Sequence, residues 1–514
     1  MPEILPLGIS IGAHASTGCY MHPTRRDVHS VLRSAYGEES IPSSAFIRLS
    51  DGTIEIGEDA RRRQFEPASL GTYLTSPVTE LPDATPAYRS SFEPQTIIST
   101  VARQLRYMTA SLHRLDPTFR QGTIAISAPA ALVQHWKEPF DQACGEAGLA
   151  LGAVVPEPEA VLTASLAYRG SNPFPQAGDR LMILNWGHVS LEITTLEMLG
   201  YMNGETLMFR RDNHVSFPGI GGDFVTELIK KYLFRKFTQD IRDRFRPNEQ
   251  YLLLNEIEKA KITLTERIVR GIHDEVMFPG LEGRSSLIQS AMQPIEFSRL
   301  LGEPSEVLTQ ALDAVGANRK PFDHVIAVGG NSHLPFVRGA LEKTLKPDGR
   351  SIWKSPLGGM FATQAVCHGT TLIASSIQNN SPRRVVIEQT LPLTGDVVSA
   401  FSPHPTPPAD SSPDWMVIAA AGTQLPMKFV PTPTEVRGTG APLFVHFALR
   451  TSSGVYHKLK KPIMMHDGMY ALEPSPPSSV MKIMVENSEP PGASLSALIE
   501  VSGYRIGPIP ITAR

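Results

Sequence analysis

The chain has 514 residues, a formal net charge of −3 and an apolar fraction of 41%. A chain of this length is expected to divide into two or more domains, and its charge balance gives no support to binding of nucleic acid or of a membrane surface. Cys19, Cys144 and Cys367 lie far apart with no CxxC spacing, which argues against a disulfide framework or a zinc site and fits a reducing compartment. No apolar run is long enough to span a membrane, and the N-terminus lacks the basic region of a signal peptide. We therefore expect a cytoplasmic protein with no membrane partner.

The first 170 residues predict an alternation of strands and helices. Leu7–Ile11 is an apolar strand that leads into a glycine turn at Gly12, and Ala45–Leu49 and Ile54–Ile56 are predicted to form a hairpin. The segment Thr72–Tyr88 is rich in proline and threonine and is predicted to be a loop. Periodicity then predicts, in chain order, helix Ser91–Leu115, strand Thr123–Ser127, helix Val133–Ala147, strand Ala150–Val155 and helix Pro158–Arg169.

The same pattern begins again at Arg180. Leu181–Leu184 and Leu191–Leu196 are predicted to form a hairpin around the turn Trp186-Gly187-His188. Further along, the sequence predicts a helix after Gly221–Asp223, helices Leu252–Thr265, Pro294–Val315 and Met360–Ser376, and a strand from Val325 to Val328. Each half opens with a strand, a glycine turn and a second strand, which indicates a duplicated α/β unit around a central cleft.

The composition changes after a polar linker, Gln378–Arg384. Pro405–Pro413 is rich in proline and serine, and short strand-like segments alternate with turns from there to the end. The clearest of these segments are Met416–Ala420, Leu443–Leu449, Val480–Val485 and Ser494–Val501. We expect residues 1–377 to form the α/β unit, residues 378–389 to link it onward, and residues 390–514 to form a separate β domain.

Several motifs, in the same order along the chain, resemble the heat shock protein 70 family. They are Gly122–Gly170 (with Pro156-Glu157-Pro158 at the family's Asn-Glu-Pro), Ile220–Phe224, the helix Glu256–Thr265, the turn Val328–Pro335, Val385–Gly395 and Gly422–Lys428. The resemblance implies an α/β fold, the actin-like two-lobed ATPase domain, followed by an all-β substrate-binding-like sandwich. Because the β domain runs to Arg514, we expect no helical lid of the kind that family chaperones have. A lidless sandwich is expected to bind extended segments weakly or to serve as a docking surface.

The resemblance also implies a set of nucleotide-binding residues. They are Gly12, Gly187, Ser190, Gly221, Gly222, Glu258, Lys261, Thr265, Gly329, Gly330, Asn331 and His333. Glu258, Lys261 and Thr265 share one helical face, but their spacing alone equally describes an exposed ion pair. Likewise, Gly329-Gly330 has the pattern of an ordinary turn at the end of a strand, as well as that of a nucleoside contact.

Other positions depart from the family pattern. They are Ser10, Ala13, His14, Asn185, Trp186, His188 and Leu357. Ser10 and Asn185 stand where the family has aspartates, and Leu357 stands where an acidic residue closes the adenosine site. The tryptophan and histidine of the second turn are expected to bring bulk to a place where backbone N–H groups should reach phosphate oxygens. The family's lysine precedes the Ala-Pro-Ala stretch, whereas the first lysine of this chain, Lys137, follows it.

These departures concern the chemistry of ATP hydrolysis. The reaction needs magnesium held by oxygen ligands, a positive group on the phosphates and a positioned water. Loss of one such electrostatic contact costs about a hundred- to a thousandfold in rate. We therefore expect negligible hydrolysis and no catalytic residue. ATP binding without hydrolysis is an open alternative, and the sequence gives only weak support for a bound magnesium ion.

Three further polar residues have two interpretations each. Glu157 is either a charge at a helix start or a catalytic carboxylate, and Ser190 and Glu192 are either ordinary strand residues or substitutes for the family's threonine and aspartate. His14 and His188 are expected to face one cleft. We predict no metal site between these two histidines, because the sequence shows no third ligand.

Among family members, the chain most resembles an atypical subclass that also lacks the first-loop aspartate and the lid. Members of that subclass join a J-domain co-chaperone of the zuotin type on the ribosome and stimulate a conventional heat shock protein 70 chaperone acting on nascent or unfolded polypeptide. The alternatives are an active ATP-driven peptide chaperone with unusual loops and, less favoured because of the linker and β domain, a sugar kinase of the same superfamily. Two basic clusters are either solvated faces or contacts with ribosomal RNA. They are Lys230, Lys231, Arg235 and Lys236, and Lys458, Lys460 and Lys461.

Overall fold

The computed structural model of the protein describes strands and helices in two lobes and a set of C-terminal strands that follow them. The described residues are 4–21, 28–30, 40–81, 94–115, 120–130, 133–168, 174–202, 206–236, 247–278, 291–317, 320–346, 352–353, 359–383, 385–388, 396–402, 416–419, 427–429, 443–450, 456–458, 463–465, 482–487, 495–501 and 504–510.

The first lobe is built on a sheet that starts with a hairpin. Its strands are β1 (Ile4–Ile11), β2 (Ala15–Met21), β3 (Val28–Ser30), β4 (Ile41–Pro42), β5 (Ala45–Arg48), β6 (Ile54–Ile56), β7 (Gly71–Leu74), β8 (Arg120–Ala128) and β9 (Leu151–Pro156). Its helices are α1 (Glu58–Arg62), α2 (Pro94–Leu115), α3 (Val133–Ala147) and α4 (Glu157–Ala167). Strand β1 pairs antiparallel with β2 and parallel with β8, and the strand order is β3-β2-β1-β8-β9. Strands β5, β6 and β7 form a separate small sheet, which confirms the predicted hairpin β5–β6.

The second lobe repeats this arrangement. Its strands are β10 (Arg180–Trp186), β11 (Ser190–Met202), β12 (Thr206–Pro218), β13 (Val276–Met277), β14 (Ala291–Met292) and β15 (His324–Val328). Its helices are α5 (Gly222–Lys236), α6 (Pro247–Arg270), α7 (Pro294–Leu300), α8 (Gly302–Ala314), α9 (Pro335–Glu342) and α10 (Gly359–Gln378). Strand β10 pairs antiparallel with β11 and parallel with β15, just as β1 pairs with β2 and β8. The predicted duplication is therefore confirmed for these strands.

Helix α10 packs against both α4 and the first sheet, and small residues allow the close approach. A Cβ atom at Gly369 would lie 1.7 Å from the carbonyl oxygen of Ala160 on α4. A Cβ atom at Gly8 on β1 would lie 2.3 Å from the backbone nitrogen of Thr371 on α10. Real side chains cannot be accommodated at these distances, so the two glycines fix how the helices and the sheet pack.

The C-terminal part of the chain consists of strands. They are β16 (Val385–Glu388), β17 (Asp396–Ser402), β18 (Met416–Ala419), β19 (Met427–Phe429), β20 (Leu443–Arg450), β21 (Tyr456–Lys458), β22 (Ile463–Met465), β23 (Lys482–Asn487), β24 (Leu495–Val501) and β25 (Tyr504–Pro510). Strands β16 and β19 both pair parallel with β12, and β19, β23, β24 and β25 continue the second sheet. The other five form a sheet of their own. The predicted boundaries at 377 and 390, and the sandwich arrangement, stay predictions.

Two sequence predictions of secondary structure are wrong. The segment Thr72–Tyr88 is not all loop, because β7 extends to Leu74 and a short 3-10 helix covers Pro77–Glu80; residues 82–88 lie outside the described part. The single predicted helix Pro294–Val315 is two helices that meet at Leu301. Pro304 explains the break, since it lacks the N–H that an uninterrupted helix would need there.

Two further expectations concern cysteine chemistry and membranes. The three cysteines are buried, free thiols. Among the described residues, no helix combines the length and the apolar character needed to cross a bilayer.

Candidate functional site

The turns of the two corresponding hairpins meet. In the first lobe, the N–H of Gly12 donates to the carbonyl oxygen of Ala15 at 3.2 Å, and in the second, the N–H of Gly187 donates to that of Ser190 at 3.0 Å. The rings of His14 and His188, one from each turn, contact each other with centroids 4.1 Å apart and planes 32° apart. As predicted, the two histidines face one cleft, and they also close it at this point.

Both histidines are neutral at physiological pH. Burial lowers the pKa of His14 to about 4, and the nearby cations Arg61 and Lys261 lower it while Glu258 opposes them. Burial, followed by the neighbouring His14, also holds the pKa of His188 well below its usual value of 6.5. The pair therefore offers no positive charge to a phosphate group.

The glycines at the start of α5 hold the second turn in place. The N–H of Gly222 donates to the carbonyl oxygen of Gly187 at 3.1 Å, and the N–H of Asp223 donates to that of His188 at 3.0 Å. A Cβ atom at Gly221 would lie 1.8 Å from the His188 carbonyl oxygen, so this position requires glycine. These two N–H groups at the start of the helix bind the protein's own turn, and not an anion.

The glycine turn after β15 also packs against the second hairpin. Gly329 has φ of +86°, and a Cβ atom there would lie 2.4 Å from the carbonyl oxygen of Trp186. Asn331 is buried, and its Nδ2 donates to the carbonyl oxygen of Gly187 at 2.9 Å. Gly330 and His333, by contrast, are exposed. The close contact that requires glycine at position 329 is therefore one between the end of β15 and the end of β10, two parts of the protein itself.

Lys261 of α6 is held by a buried ion pair. Its Nζ lies 2.7 Å from Oε2 of Glu258 and donates to Oγ1 of Thr226 at 3.0 Å and to the carbonyl oxygen of Gly222 at 3.1 Å. The exposed fractions of the Lys261 and Glu258 side chains are only 11% and 20%, so the interpretation as an exposed ion pair is wrong. All three ammonium donors are used. Thr265 donates back to the Lys261 carbonyl oxygen at 2.8 Å.

A second buried cluster joins the lobes near the hairpins. Asn185 on β10 donates from Nδ2 to Oε2 of Glu157 at 2.7 Å, and its cross-strand neighbour on β11 is Glu192. Burial raises the pKa of Glu157 to about 7, against the opposing effect of the Asn185 hydrogen bond. Burial and then the charge of Glu157 raise the pKa of Glu192 to about 8, while a hydrogen bond with Ser190 opposes the rise. Glu192 is therefore mostly protonated at pH 7.

The donor set does not fit a magnesium ion. Mg²⁺ prefers ionised carboxylate oxygens and water, and Asn185, at the turn end of β10, supplies a neutral amide instead. Ser10, at the end of β1, carries no charge. Within the part of the chain that the structure describes, no three His, Cys, Asp or Glu side chains are grouped so as to hold a metal. Leu357 lies outside the described residues.

Trp186 does not add bulk to the turn, contrary to the sequence-based expectation. Strand β10 continues through it, and its side chain is fully buried in the core of the second lobe. Its Nε1 donates to the carbonyl oxygen of Ile220 at 2.6 Å, and its ring packs edge-on against Phe336. The bulk in the cleft comes from the two histidines instead.

A cavity of about 370 Å³ lies beside the histidine pair. Arg61 and Tyr73 line it from the first lobe, and Asp223, Glu227 and Glu258 line it from the second. The sequence analysis did not name Arg61, Asp223 or Glu227 as site residues. Asp223 lies in the motif Ile220–Phe224 but was not singled out there, and nothing in the local pattern of Arg61 and Glu227 distinguishes them from surface charges. Thr226, which contacts Lys261, was missed for the same reason.

Comparison with models of known protein families gives a match. A family model described as Hsp70 protein matches residues 79–421, more than half of the chain. The matched part contains Glu157, the second hairpin, α6 and the turn at Gly329. The first hairpin and most of the C-terminal strands lie outside the matched residues.

Proposed function

The chain belongs to the Hsp70 family, and we propose that it is a non-hydrolysing member that works as a co-chaperone. As a chaperone of the Hsp70 kind, it shares the family's actin-like ATPase fold and its general interaction with unfolded polypeptides and co-chaperones. The observation that carries the proposal is the contact between His14 and His188, at 4.1 Å between ring centroids.

The position of this contact is what matters for ATP. In the family, the two hairpin turns are the phosphate loops, so a triphosphate would lie between them. Two rings at this distance are in van der Waals contact and leave no space for a phosphoryl group between them. ATP binding would require the rings to separate, and a bound ATP would then face neutral imidazoles.

The catalytic groups that hydrolysis needs are also replaced or engaged. Ser10 and Asn185 cannot supply the negative charge that holds a metal, and Lys261 has its three donors satisfied by protein oxygens. If each lost contact costs about a hundredfold in rate, two losses reduce turnover by about ten thousandfold. These replacements support the proposal that the cleft does not hydrolyse ATP and that the nucleotide-binding lobes serve as a rigid platform.

One observation favours the alternative of an active ATP-driven chaperone. The pKa of Glu157 is raised to about 7 by burial, which is the range in which a carboxylate works well as a general base. On this alternative, Glu157 and Ser190 would orient the attacking water. The alternative requires the histidine rings to part and the phosphates alone to hold magnesium.

The partners are proposed from the resemblance to the lidless subclass. They are a J-domain co-chaperone of the zuotin type, the ribosome, a conventional Hsp70 chaperone, and nascent or unfolded polypeptide in the cytoplasm. The support is the absence of the first-loop aspartate, where this chain has Ser10.

Reconstitution with a J-domain protein and a conventional Hsp70 tests the proposal. We expect the complex of this chain with the J-domain protein to accelerate ATP turnover by the conventional Hsp70. The variant Glu157→Gln should leave that acceleration unchanged, because the platform's own cleft performs no chemistry. Loss of acceleration in Glu157→Gln, with the complex intact, would favour the active chaperone instead. Failure to bind any J-domain protein or ribosome fraction would refute the co-chaperone role.

A further inference from the structure

Arg211 and His214 lie on the same face of strand β12. The pairing between β11 and β12 shifts by one residue between Thr195 and Leu196, so that Asp212 is an extra residue in β12. Side chains of a strand normally alternate between faces, and an extra residue changes that alternation. The shift therefore brings residues 211 and 214, three apart in sequence, to one side of the sheet.

Both side chains are buried with hydrogen-bonding atoms that have no partner. Arg211 is 5% exposed and His214 is 1% exposed. Nε and Nη2 of Arg211, and Nε2 of His214, lack a hydrogen-bond partner in the part of the chain that the structure describes. Nδ1 of His214 lies 2.9 Å from Oγ1 of Thr194. When the Thr194 hydroxyl donates to Nδ1, the ring carries its hydrogen on Nε2, which makes it a third N–H donor.

Two carboxylates on β11 and β12 are engaged with other arginines. Glu197 pairs with Arg210 at 2.7 Å, and Asp212 pairs with Arg180 at 3.2 Å. Burial alone lowers the pKa of Arg211 to about 9, which leaves the guanidinium charged at neutral pH. A buried charge without a counter-charge is strongly unfavourable, and proteins normally pair it with an anion.

We propose that Arg211 and His214 form a buried binding site for a small oxyanion. Nε and Nη2 are the two donors on one edge of the guanidinium, and that edge binds two oxygens of a carboxylate or a phosphate at once. The His214 Nε2–H adds a third donor from the same face. An oxyanion would satisfy all three donors and neutralise the guanidinium.

The site lies beside β16, the strand of the predicted linker. Strand β16 pairs parallel with β12, and its last pair is Arg210 with Glu388. Arg211 is the next residue of β12 after that pair. An anion bound there would stabilise β12 at the point where the linker strand ends, independently of whether the cleft binds ATP.

Titration of the full-length protein with inorganic phosphate, sulfate and acetate tests the site, with chloride at equal ionic strength as the baseline. Binding is measured by calorimetry and by the rise in melting temperature. We expect at least one oxyanion to bind and to raise the melting temperature. Arg211→Met should lose at least about tenfold in affinity, because it removes two charge-assisted hydrogen bonds. The matched control is Arg210→Met, since Arg210 is the adjacent residue, is half exposed and pairs with Glu197.

The pattern of ligands identifies the source of the anion. Binding of phosphate and sulfate without acetate assigns a tetrahedral oxyanion, and binding of acetate alone assigns a carboxylate. The proposal is overturned if none of the three binds above chloride, or if Arg211→Met binds as tightly as Arg210→Met. Should Arg211→Met fail to fold, Arg211→Lys keeps the charge but lacks the paired donors, and it must still bind less tightly.

Discussion

The buried carboxyl of Glu192 makes the protein's stability depend on pH in a way that one substitution should remove. Glu192 is 8% exposed and lies across the β10–β11 pair from Asn185, which bonds Glu157. Its pKa is raised from 4.5 to about 8 by burial and then by Glu157. In Glu192→Gln, a neutral side chain of the same shape takes its place.

The magnitude follows from the difference between folded and unfolded pKa. A raised carboxyl pKa means that the folded state holds its proton while the unfolded state releases it. The resulting stability is fully present below pH 4.5 and is lost as pH rises toward 8. At 1.36 kcal/mol per pH unit, release of this proton by the unfolded chain lowers the free energy of unfolding by about 1 kcal/mol at pH 5 and by about 3 kcal/mol at pH 7.

Glu192→Gln should therefore stabilise the second lobe by up to about 3 kcal/mol at pH 7 and by about 1 kcal/mol at pH 5. Urea unfolding followed by tryptophan fluorescence, at pH 5, 7 and 8, measures the difference, since Trp186 is fully buried in this lobe. Glu197→Gln on the same strand is the control, because the Glu197 side chain is 34% exposed. The reasoning is refuted if Glu192→Gln is no more stabilising at pH 8 than at pH 5.

Three further substitutions test other parts of the structure. Lys261→Met should destabilise the protein by about 3 kcal/mol in urea, because it leaves the largely buried Glu258 without its counter-charge; the double variant Lys261→Met with Glu258→Gln should recover part of that loss, and equal costs for both would contradict the ion-pair account. Gly369→Val should cost more than about 3 kcal/mol or prevent folding, because its side chain would clash with Ala160; a native melting temperature would show that the α4–α10 contact is looser than described. His188→Gly should bind ATP more tightly in calorimetry, because it removes one ring of the contacting pair, and an unchanged affinity would mean that the rings do not obstruct the nucleotide.

Much of the fold could be predicted from the sequence, because the signals are local. The apolar spacing of α2 and the glycine turns between short strands predicted elements that the structure contains. The pairing of β10 with β11 and β15 repeats that of β1 with β2 and β8, as the internal repetition indicated. By contrast, β12 was missed, because Arg210, Arg211 and Asp212 interrupt its apolar alternation.

The site was predicted only where neighbours in sequence are neighbours in space. His14 and His188 were expected to face one cleft, because they lie two residues and one residue after a glycine in corresponding turns. The bond between Thr226 and Lys261 joins two helices, and no spacing in the sequence indicates it. The predicted position of the Trp186 side chain was wrong, because the sequence analysis placed this residue in the turn. Strand β10 continues through Trp186, and the alternation of side chains along the strand points it into the core.

A single-turnover assay with radiolabelled ATP tests the central claim, that the cleft has kept its architecture without the groups that turn over ATP. Excess protein is mixed with ATP and magnesium, and released phosphate is followed against a protein-free reaction. We expect no release above that background, both for the natural chain and for Glu157→Gln. Phosphate release by the natural chain that disappears in Glu157→Gln would contradict the account.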